Sequence, residues 1–227
     1  MTKTMTTTYE HPDREKCFQY LRDYGTPPHV VGHCVAVAET ACEIGRALNE
    51  KGGTRAPAIE HVEFETFDSG RDFPAYRTDR STLICTDENQ IDSGGMRQYD
   101  LELTLAAGLL HDMARVEERH WDAAADFCLE QGLTEEAKII RVHMQYEFIQ
   151  DAMLLTEADL VCLGDRLVLE DRYVGIDERM DYIIAKAERS GNMTARPIIL
   201  RKKEETKVLL RQIEERIGMS LDELMGA

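Results

Sequence analysis

The sequence predicts an all-α protein, a compact multi-helix bundle formed by a single domain over residues 1–227. Two observations lead to this prediction. Apolar residues recur with a period of about 3.6 along most of the chain, which is typical of amphipathic helices. Strand-like patterns are confined to one polar stretch, and strands do not alternate with helices as they do in a parallel sheet. A length of 227 residues with 43% hydrophobic residues suits one large domain with its own core.

The ends of the first two helices are marked in the sequence. Asp13 can cap a helix over 13–24, and Gly25 follows it as a stop signal. Pro27-Pro28 then opens a second helix that runs to about residue 50. The apolar residues of this second helix share one face, and they are Val30, Cys34, Val37, Ala41, Ile44 and Leu48.

Residues 52–99 interrupt the helical pattern and are rich in Gly, Asp, Thr, Ser, Arg and Pro. Within them, 62–67 alternates with period two and 81–86 is strand-like. We therefore expect a polar insert that forms a small β-hairpin or is partly ordered. Its two ends must meet if the flanking helices are antiparallel neighbours, so replacing 52–99 with a short linker is expected to leave a folded domain.

Helical patterns resume after the insert, at 100–115, about 121–131, 135–147, 157–170, 177–190 and 197–217. Thr134 and Thr156 are candidate caps for two of these helices. Pro197 suits a first helical turn. Ser220 and Glu223 form a capping box that predicts a short final helix.

Composition excludes several classes of partner. Lys and Arg number 27 against 43 Asp and Glu, a formal net charge of −16 that should repel nucleic acid and anionic membranes. No apolar run reaches the 18 residues of a membrane span, and the first residues lack the apolar stretch of a signal peptide. The six cysteines form no CxxC pattern, so we expect reduced thiols in a cytoplasmic protein.

The pair His111-Asp112 is the most informative feature of the chain. It ends an apolar helical run of Leu, Ala and Gly that should enter the core. A buried imidazole and a buried carboxylate are costly without a partner. A divalent cation would satisfy both, because neutral imidazole and carboxylate are good ligands.

Three further polar residues lie in equally apolar surroundings on other predicted helices: His33, His143 and Asp165. A single core histidine is more often hydrogen-bonded than a ligand, but four helices that each contribute such a residue indicate a shared centre. Nitrogen and oxygen donors without thiolate suit a divalent transition metal bound for catalysis, namely Fe, Mn, Co, Ni or Zn, with Mg as an alternative.

The order His33, His111-Asp112, Asp165 on an all-helical chain resembles the HD superfamily of metal-dependent phosphohydrolases, in particular its HDIG-like subgroup. The resemblance covers 13–51 and 100–190 and implies that these four residues are the metal ligands. After His111-Asp112 the chain has Met-Ala-Arg instead of Ile-Gly, keeping a basic residue three after the Asp. Because no second histidine adjoins His143, the resemblance implies one ion, with a second ion near His143 as the open alternative.

The resemblance further implies hydrolysis of a phosphoester or phosphoanhydride in a nucleotide or other small phosphate compound through a metal-bound hydroxide. Asp112, His143 and Arg115 are the expected catalytic residues. Substrate phosphate would be held by cationic side chains, for which the candidates are His29, Arg115, Arg166 and Arg172. Each arginine could instead pair with a nearby carboxylate, and His120 is interpreted as a loop residue.

Two alternatives stay open at this stage. The chain could be a nucleotide- or metal-binding regulatory module without turnover. It could also be a helical adaptor that binds a partner through the insert, in which case no metal is expected. A homo-oligomer in which the insert reaches a neighbouring copy is compatible with any of these functions.

Overall fold

The computed structural model of the chain describes residues 10–62, 95–144, 148 and 150–227. Across these ranges the protein is mostly helical, which confirms the all-α prediction. The helices are α1 (Arg14–Tyr24), α2 (Pro28–Glu50), α3 (Leu101–Leu110), α4 (His120–Glu130), α5 (Thr134–Val142), α6 (Glu157–Leu167), α7 (Gly175–Arg189), α8 (Ala195–Ile217) and α9 (Leu221–Met225). A 3-10 turn at Ile59–His61 and a two-stranded hairpin complete the described elements.

The residues predicted to begin and end α1 and to begin α2 are confirmed. The Asp13 carboxylate accepts a hydrogen bond from the Lys16 amide at 2.8 Å, and Gly25 ends α1 in the left-handed conformation at φ 82°. Helix α2 then runs through the middle of the molecule and packs against both α3 and α6. Its apolar face, including Val37 and Ile44, is fully buried.

Two glycines allow the helices that flank α2 to approach its backbone. A Cβ on Gly108 of α3 would lie 2.7 Å from the Ala38 Cα, and one on Gly164 of α6 would lie 2.6 Å from the Val37 carbonyl oxygen. Any larger side chain would push these helices away from α2. The close packing brings the C-terminal ends of α3 and α6 to the same part of α2, beside His33.

Helices α3 and α5 end earlier than the sequence predicts. Helix α3 stops at Leu110 instead of 115 and is followed by turns, and α5 stops at Val142 instead of 147. At each end a histidine side chain bonds a carbonyl three residues back, so it competes with the backbone amides that would continue the helix. The predicted cap Thr134 is also wrong, because Leu133 occupies the N-cap position.

Helix α6 is three residues shorter than predicted because a hairpin follows it. Thr156 caps α6 through a reciprocal capping box with Asp159, as expected for a cap at this residue. Strands β1 (Val168–Leu169) and β2 (Arg172–Tyr173) then pair antiparallel. The strands predicted in the insert lie outside the described residues, apart from Val62.

The described ends of the insert meet, as predicted. Thr54 and Arg97 form an antiparallel bridge with two backbone hydrogen bonds of 2.8 Å. However, the boundaries 52–99 are too wide, because Ile59, Val62 and Tyr99 are buried and pack against core helices. The residues that flank 63–94 therefore belong to the core.

Helices α7, α8 and α9 cover the remaining face of α2 and α6, and the Ser220–Glu223 capping box starts α9 as predicted. The described cysteines are all free thiols within the bundle: Cys17, Cys34, Cys42, Cys128 and Cys162. Cys85 lies outside the described residues. Within the described ranges, no helix combines the length and the apolarity needed to cross a bilayer.

Candidate metal centre

The carboxylate of Asp112 lies at the centre of four histidines, and its side chain is 2% exposed. Its Oδ1 lies 3.2 Å from His120 Nε2 and 3.5 Å from His143 Nε2. Its Oδ2 lies 3.8 Å from the Nε2 atoms of both His33 and His111. Each carboxylate oxygen therefore faces its own pair of imidazoles.

Two of these histidines are held by the same local geometry. His111 and His143 each follow the last residue of a helix, and each Nδ1 contacts a backbone carbonyl at 2.7 Å, that of Gly108 and of Ile140 respectively. Because a carbonyl can only accept, Nδ1 carries a proton, so in the neutral ring Nε2 is the atom with the free lone pair, and it faces Asp112. This is the tautomer that a metal ligand requires.

The hairpin holds His33 in a similar way. The Nδ1 of His33 donates to the Glu170 carbonyl at 2.9 Å, and its Nε2 lies 3.2 Å from Asp165 Oδ1. Glu170 has a φ of 56°, the one positive φ among the described non-glycine residues. This conformation is unfavourable for a residue with a side chain. The turn between β1 and β2 therefore stores strain at the carbonyl that orients His33.

The cluster contains buried polar atoms without well-formed hydrogen bonds. The Nε2 atoms of His111, His120 and His143 are buried and face Asp112, but none makes a hydrogen bond of good geometry with a described residue. Unpaired buried polar atoms are costly and call for an explanation such as a bound ion. All three atoms face Asp112, so a cation beside this carboxylate would satisfy them together.

The donor atoms form two groups of suitable size. His33, His111 and Asp112 make one group, and Asp112, His120 and His143 make the other; within each, the donor atoms lie within 4.8 Å of one another. Ligands bound at about 2.0–2.2 Å from an ion are separated by roughly 3–4 Å. The buried His and Asp groups could therefore hold a metal ion, and Asp112 belongs to both groups.

The electrostatics favour a neutral His111 beside ionised carboxylates, whereas the hydrogen bond with Asp165 outweighs burial and raises the pKa of His33. Burial lowers the pKa of His111 to about 4. Burial disfavours the charge of Asp112, but His111, His120 and His143 outweigh it and hold the carboxyl pKa far below its usual range. For Asp165 the effect of burial is likewise outweighed, and the hydrogen bond with His33 lowers the carboxyl pKa. The protonation states of His111, Asp112 and Asp165 are those of metal ligands.

The structure brings together most of the predicted ligands and places one further histidine, His120, beside them. His33, His111 and Asp112 share one group, and Asp165 contacts His33 without being part of that group. The interpretation of His120 as a loop residue is wrong, because it is the first residue of α4 and is 7% exposed. No periodic pattern in the sequence marks His120, because its contact with Asp112 depends on the path of the turn after α3 and not on the face of a helix.

Two arginines contact the carboxylates of the cluster. The predicted residue Arg115 places its Nη1 2.9 and 3.2 Å from the two oxygens of Asp112. Arg179 of α7, which is not among the residues predicted from the sequence, places its Nη2 3.4 Å from Asp165 Oδ1. The sequence pattern that could have identified Arg179 is a polar stripe at 179, 182 and 186. This stripe lies on the side of α7 away from the buried Ile176, Met180 and Ile184.

Two cavities open beside the cluster. The first, about 630 Å³, is lined by His29, His33 and Asp112 among others. The second, about 360 Å³, reaches His143, Asp165 and Arg166. Both are also lined by the same four residues, Arg115, Arg179, Tyr182 and Lys186.

The remaining phosphate-binding candidates have different outcomes. His29 and Arg166 lie at these cavities, and the Arg166 guanidinium stacks over the Phe148 ring at 4.2 Å. Arg172 is not brought to the cluster: it pairs with Glu178 at 2.6 Å. It lines a separate cavity of about 820 Å³, and the described residues of that cavity include no histidine. The hairpin directs this side chain away from the site because Arg172 belongs to β2.

No protein-family model, curated protein or solved structure matches the chain. The features that bear on function are therefore the geometry of the cluster and of its cavities.

Proposed function

We propose that the protein is a metal-dependent phosphohydrolase of the HD type that cleaves a phosphoester or phosphoanhydride in a nucleotide or other small phosphate compound. The observation that supports it is the position of Asp112, whose two buried oxygens face separate histidine pairs beside a cationic cavity. A purely structural cluster would not need three buried imidazole nitrogens without well-formed hydrogen bonds.

We propose one ion between His33, His111 and Asp112, with Asp165 next to it, and a second between Asp112, His120 and His143. Nitrogen and oxygen donors without thiolate suit Fe, Mn, Co, Ni or Zn, and Mg is the alternative. When bound, such ions supply Lewis acidity toward a phosphoryl oxygen and bring the pKa of a bound water near neutrality.

The side chains of the site would then position the attacking water, bind the metal ions and hold the substrate phosphate. Asp112 would bridge the two ligand groups and fix the position of the attacking water. Because His143 Nε2 faces Asp112 Oδ1 at 3.5 Å, we assign it to metal binding instead of proton donation. Arg115 and Arg179 lie beside the carboxylates and would hold phosphoryl oxygens, since a guanidinium can donate two parallel hydrogen bonds to phosphate.

A substrate panel tests this proposal. Elemental analysis of the purified protein would be followed by assays on nucleoside mono-, di- and triphosphates, dinucleotides and sugar phosphates with Mn²⁺, Fe²⁺, Co²⁺ and Mg²⁺. We expect metal-dependent release of phosphate, and one heavy oxygen per phosphate in ¹⁸O-labelled water. Asp112→Asn should abolish turnover, whereas Asp23→Asn on the exposed face of α1 should not.

One observation favours a second candidate function. The Arg115 guanidinium contacts both oxygens of Asp112 and so competes with an ion for their lone pairs. In a nucleotide- or metal-binding regulatory module this pair could persist, and ligands would bind without turnover. Tight binding of a nucleotide with no metal-dependent hydrolysis anywhere in the panel would select that function.

A further inference from the structure

The cavity on the His143 side carries an excess of positive charge. Its cationic lining side chains are Arg115, Arg166, Arg179, Lys186 and Lys202. The one carboxylate among its described lining residues is Asp165, which belongs to the cluster. The chain as a whole has 27 basic and 43 acidic residues. Among the lining residues that the structure describes, five cations against one carboxylate therefore reverse the charge balance of the protein at this place.

Lys186 differs from the lysines nearby. Among the described residues, no carboxylate lies within ion-pair distance of its ammonium group, although the protein is strongly acidic. By contrast, Lys203 and Lys207 of α8 contact Asp177 at 2.8 and 2.7 Å. Lys186 also lines both cavities beside the cluster. With no carboxylate of the described ranges beside it, the Lys186 ammonium group is available to an anionic ligand.

The spacing of Arg179 and Lys186 along α7 indicates how long the bound ligand is. Arg179, Tyr182 and Lys186 lie three and four residues apart, so they share one face of the helix. Arg179 contacts the cluster through Asp165, and Lys186 lies seven residues further along, a rise of about 10 Å. A single phosphoryl group at the cluster would not need the second cation, whereas a chain of phosphoryl groups would use both.

The same cavity has an apolar wall. Tyr182 is partly buried between the two cations, and Met144, Ile183 and Ile199 also line the cavity. An aromatic ring can stack on the face of a tyrosine side chain, and thioether and aliphatic groups pack against its edges. Cations beside apolar and aromatic groups match a ligand that joins phosphates to a planar base.

We infer that the substrate is a nucleotide with at least two phosphoryl groups, the reacting one at the Asp112 cluster and another held by Lys186 on α7. This inference rests on the proposed function and specifies its substrate class. Lys186 would be a specificity-determining residue, and Tyr182 would contact the base. Nucleoside monophosphates would bind without the contact to Lys186.

The test compares the affinities of two matched ligands by calorimetry, with saturating Mn²⁺. The probes are the phosphonate analogues of adenosine mono- and diphosphate in which methylene groups replace every bridging oxygen. We expect the diphosphate analogue to bind more tightly. Lys186→Met should lower the ratio of the two affinities about five- to tenfold, because it removes one ammonium–phosphate contact. Lys186→Arg should restore much of this ratio.

Lys207→Met provides the control, because Lys207 is paired with Asp177 and lines neither cavity. It should leave the affinity ratio unchanged. An equal affinity for both analogues, or a ratio that Lys186→Met does not change, would overturn the inference while leaving the hydrolase proposal intact. A protein that holds metal but neither binds nor cleaves any phosphate compound would instead overturn the proposed function.

Discussion

His120 Nε2 lies 3.2 Å from Oδ1 of Asp112, on the opposite side of the carboxylate from His33 and His111. This contact joins the start of α4 to the end of α3 across a turn. It changes the expected ligand set, because His120 and His143 together provide the imidazole pair that a second ion needs beside Asp112.

The first prediction concerns metal stoichiometry. His120→Ala should lower the bound metal from two ions to one per chain, because it removes a donor from one group and leaves His33, His111 and Asp112 in place. Elemental analysis after dialysis measures this change. His29→Ala is the control, since His29 lies on the exposed first turn of α2. If His120→Ala retained the wild-type stoichiometry, His120 would not be a ligand.

The second prediction concerns the ion pair between Arg97 and Glu157. Two nitrogens of Arg97 contact the two Glu157 oxygens at 2.7 and 2.9 Å, and the Glu157 side chain is 1% exposed. Arg97→Met would leave a buried carboxylate without its counter-ion, which should lower the free energy of unfolding by about 3 kcal/mol. Urea denaturation provides the measurement.

Adding Glu157→Gln to that variant should recover part of the loss, because the remaining amide is neutral and can still accept the hydrogen bond from the Asp100 amide. A loss below about 1 kcal/mol in the single variant, which is the range of exposed ion pairs, would show that the pair is not structural.

The third prediction corrects the expected tolerance of the insert. Replacing 52–99 with a Gly/Ser linker should unfold the protein, because it removes Arg97 and the buried Ile59, Val62 and Tyr99. Replacing 63–94 alone leaves all of these residues and the Thr54–Arg97 bridge in place, so a helical, metal-binding protein should remain. Circular dichroism and metal analysis would compare the two variants. A folded protein after the longer replacement would contradict the core assignment.

The helical periodicity of the sequence was sufficient to predict the all-α fold. The apolar sequence surroundings of His33, His111 and Asp112 were sufficient to predict that these residues share one site. The ends of α3 and α5 were not predictable from periodicity, because side chains of His111 and His143 take carbonyls that the backbone would otherwise use. His120 was missed for a related reason. Its contact with Asp112 depends on the path of a turn, and periodicity describes only regular elements.

The fourth prediction concerns pH. His11 is held between Glu136 at 2.8 Å and Asp100 at 3.4 Å. Although burial opposes it, the hydrogen bonds to Asp100 and Glu136 raise the pKa of His11 from 6.5 to about 10. Because the folded-state pKa is raised, this contribution to stability is complete below pH 6.5 and is lost as the pH rises toward 10.

The free energy of unfolding should therefore fall by about 2 kcal/mol between pH 6.5 and 10 through this group, less than the full linkage value because solvent screens part of the interaction. His11→Gln should flatten this part of the pH dependence, whereas His29→Gln should keep it. Urea denaturation at several pH values separates the two variants. An identical pH slope in wild type and His11→Gln would show that His11 does not titrate in this window.

The fifth prediction concerns the close packing of α6 on α2. A Cβ on Gly164 would lie 2.6 Å from the Val37 carbonyl oxygen, which is backbone and cannot turn aside. Gly164→Ala should therefore displace α6 and cost about 1–3 kcal/mol of stability, even though alanine is the better helix former. Because Asp165 follows directly, its contact with His33 should be lost, and metal affinity should fall with stability.

Gly45→Ala is the matched control, since it introduces the same methyl group in α2. There the Cβ would lie closest to the ends of the Leu101 and Leu160 side chains, at 2.9 Å, and these can rotate, whereas Tyr99 Cβ lies at an ordinary contact distance of 4.0 Å. We expect this variant to keep its metal and to change little in stability, because the gain in helix propensity offsets the crowding. Titration of metal into both apoproteins tests the comparison. Equal metal affinity in the two variants would mean that the packing of α6 does not position Asp165.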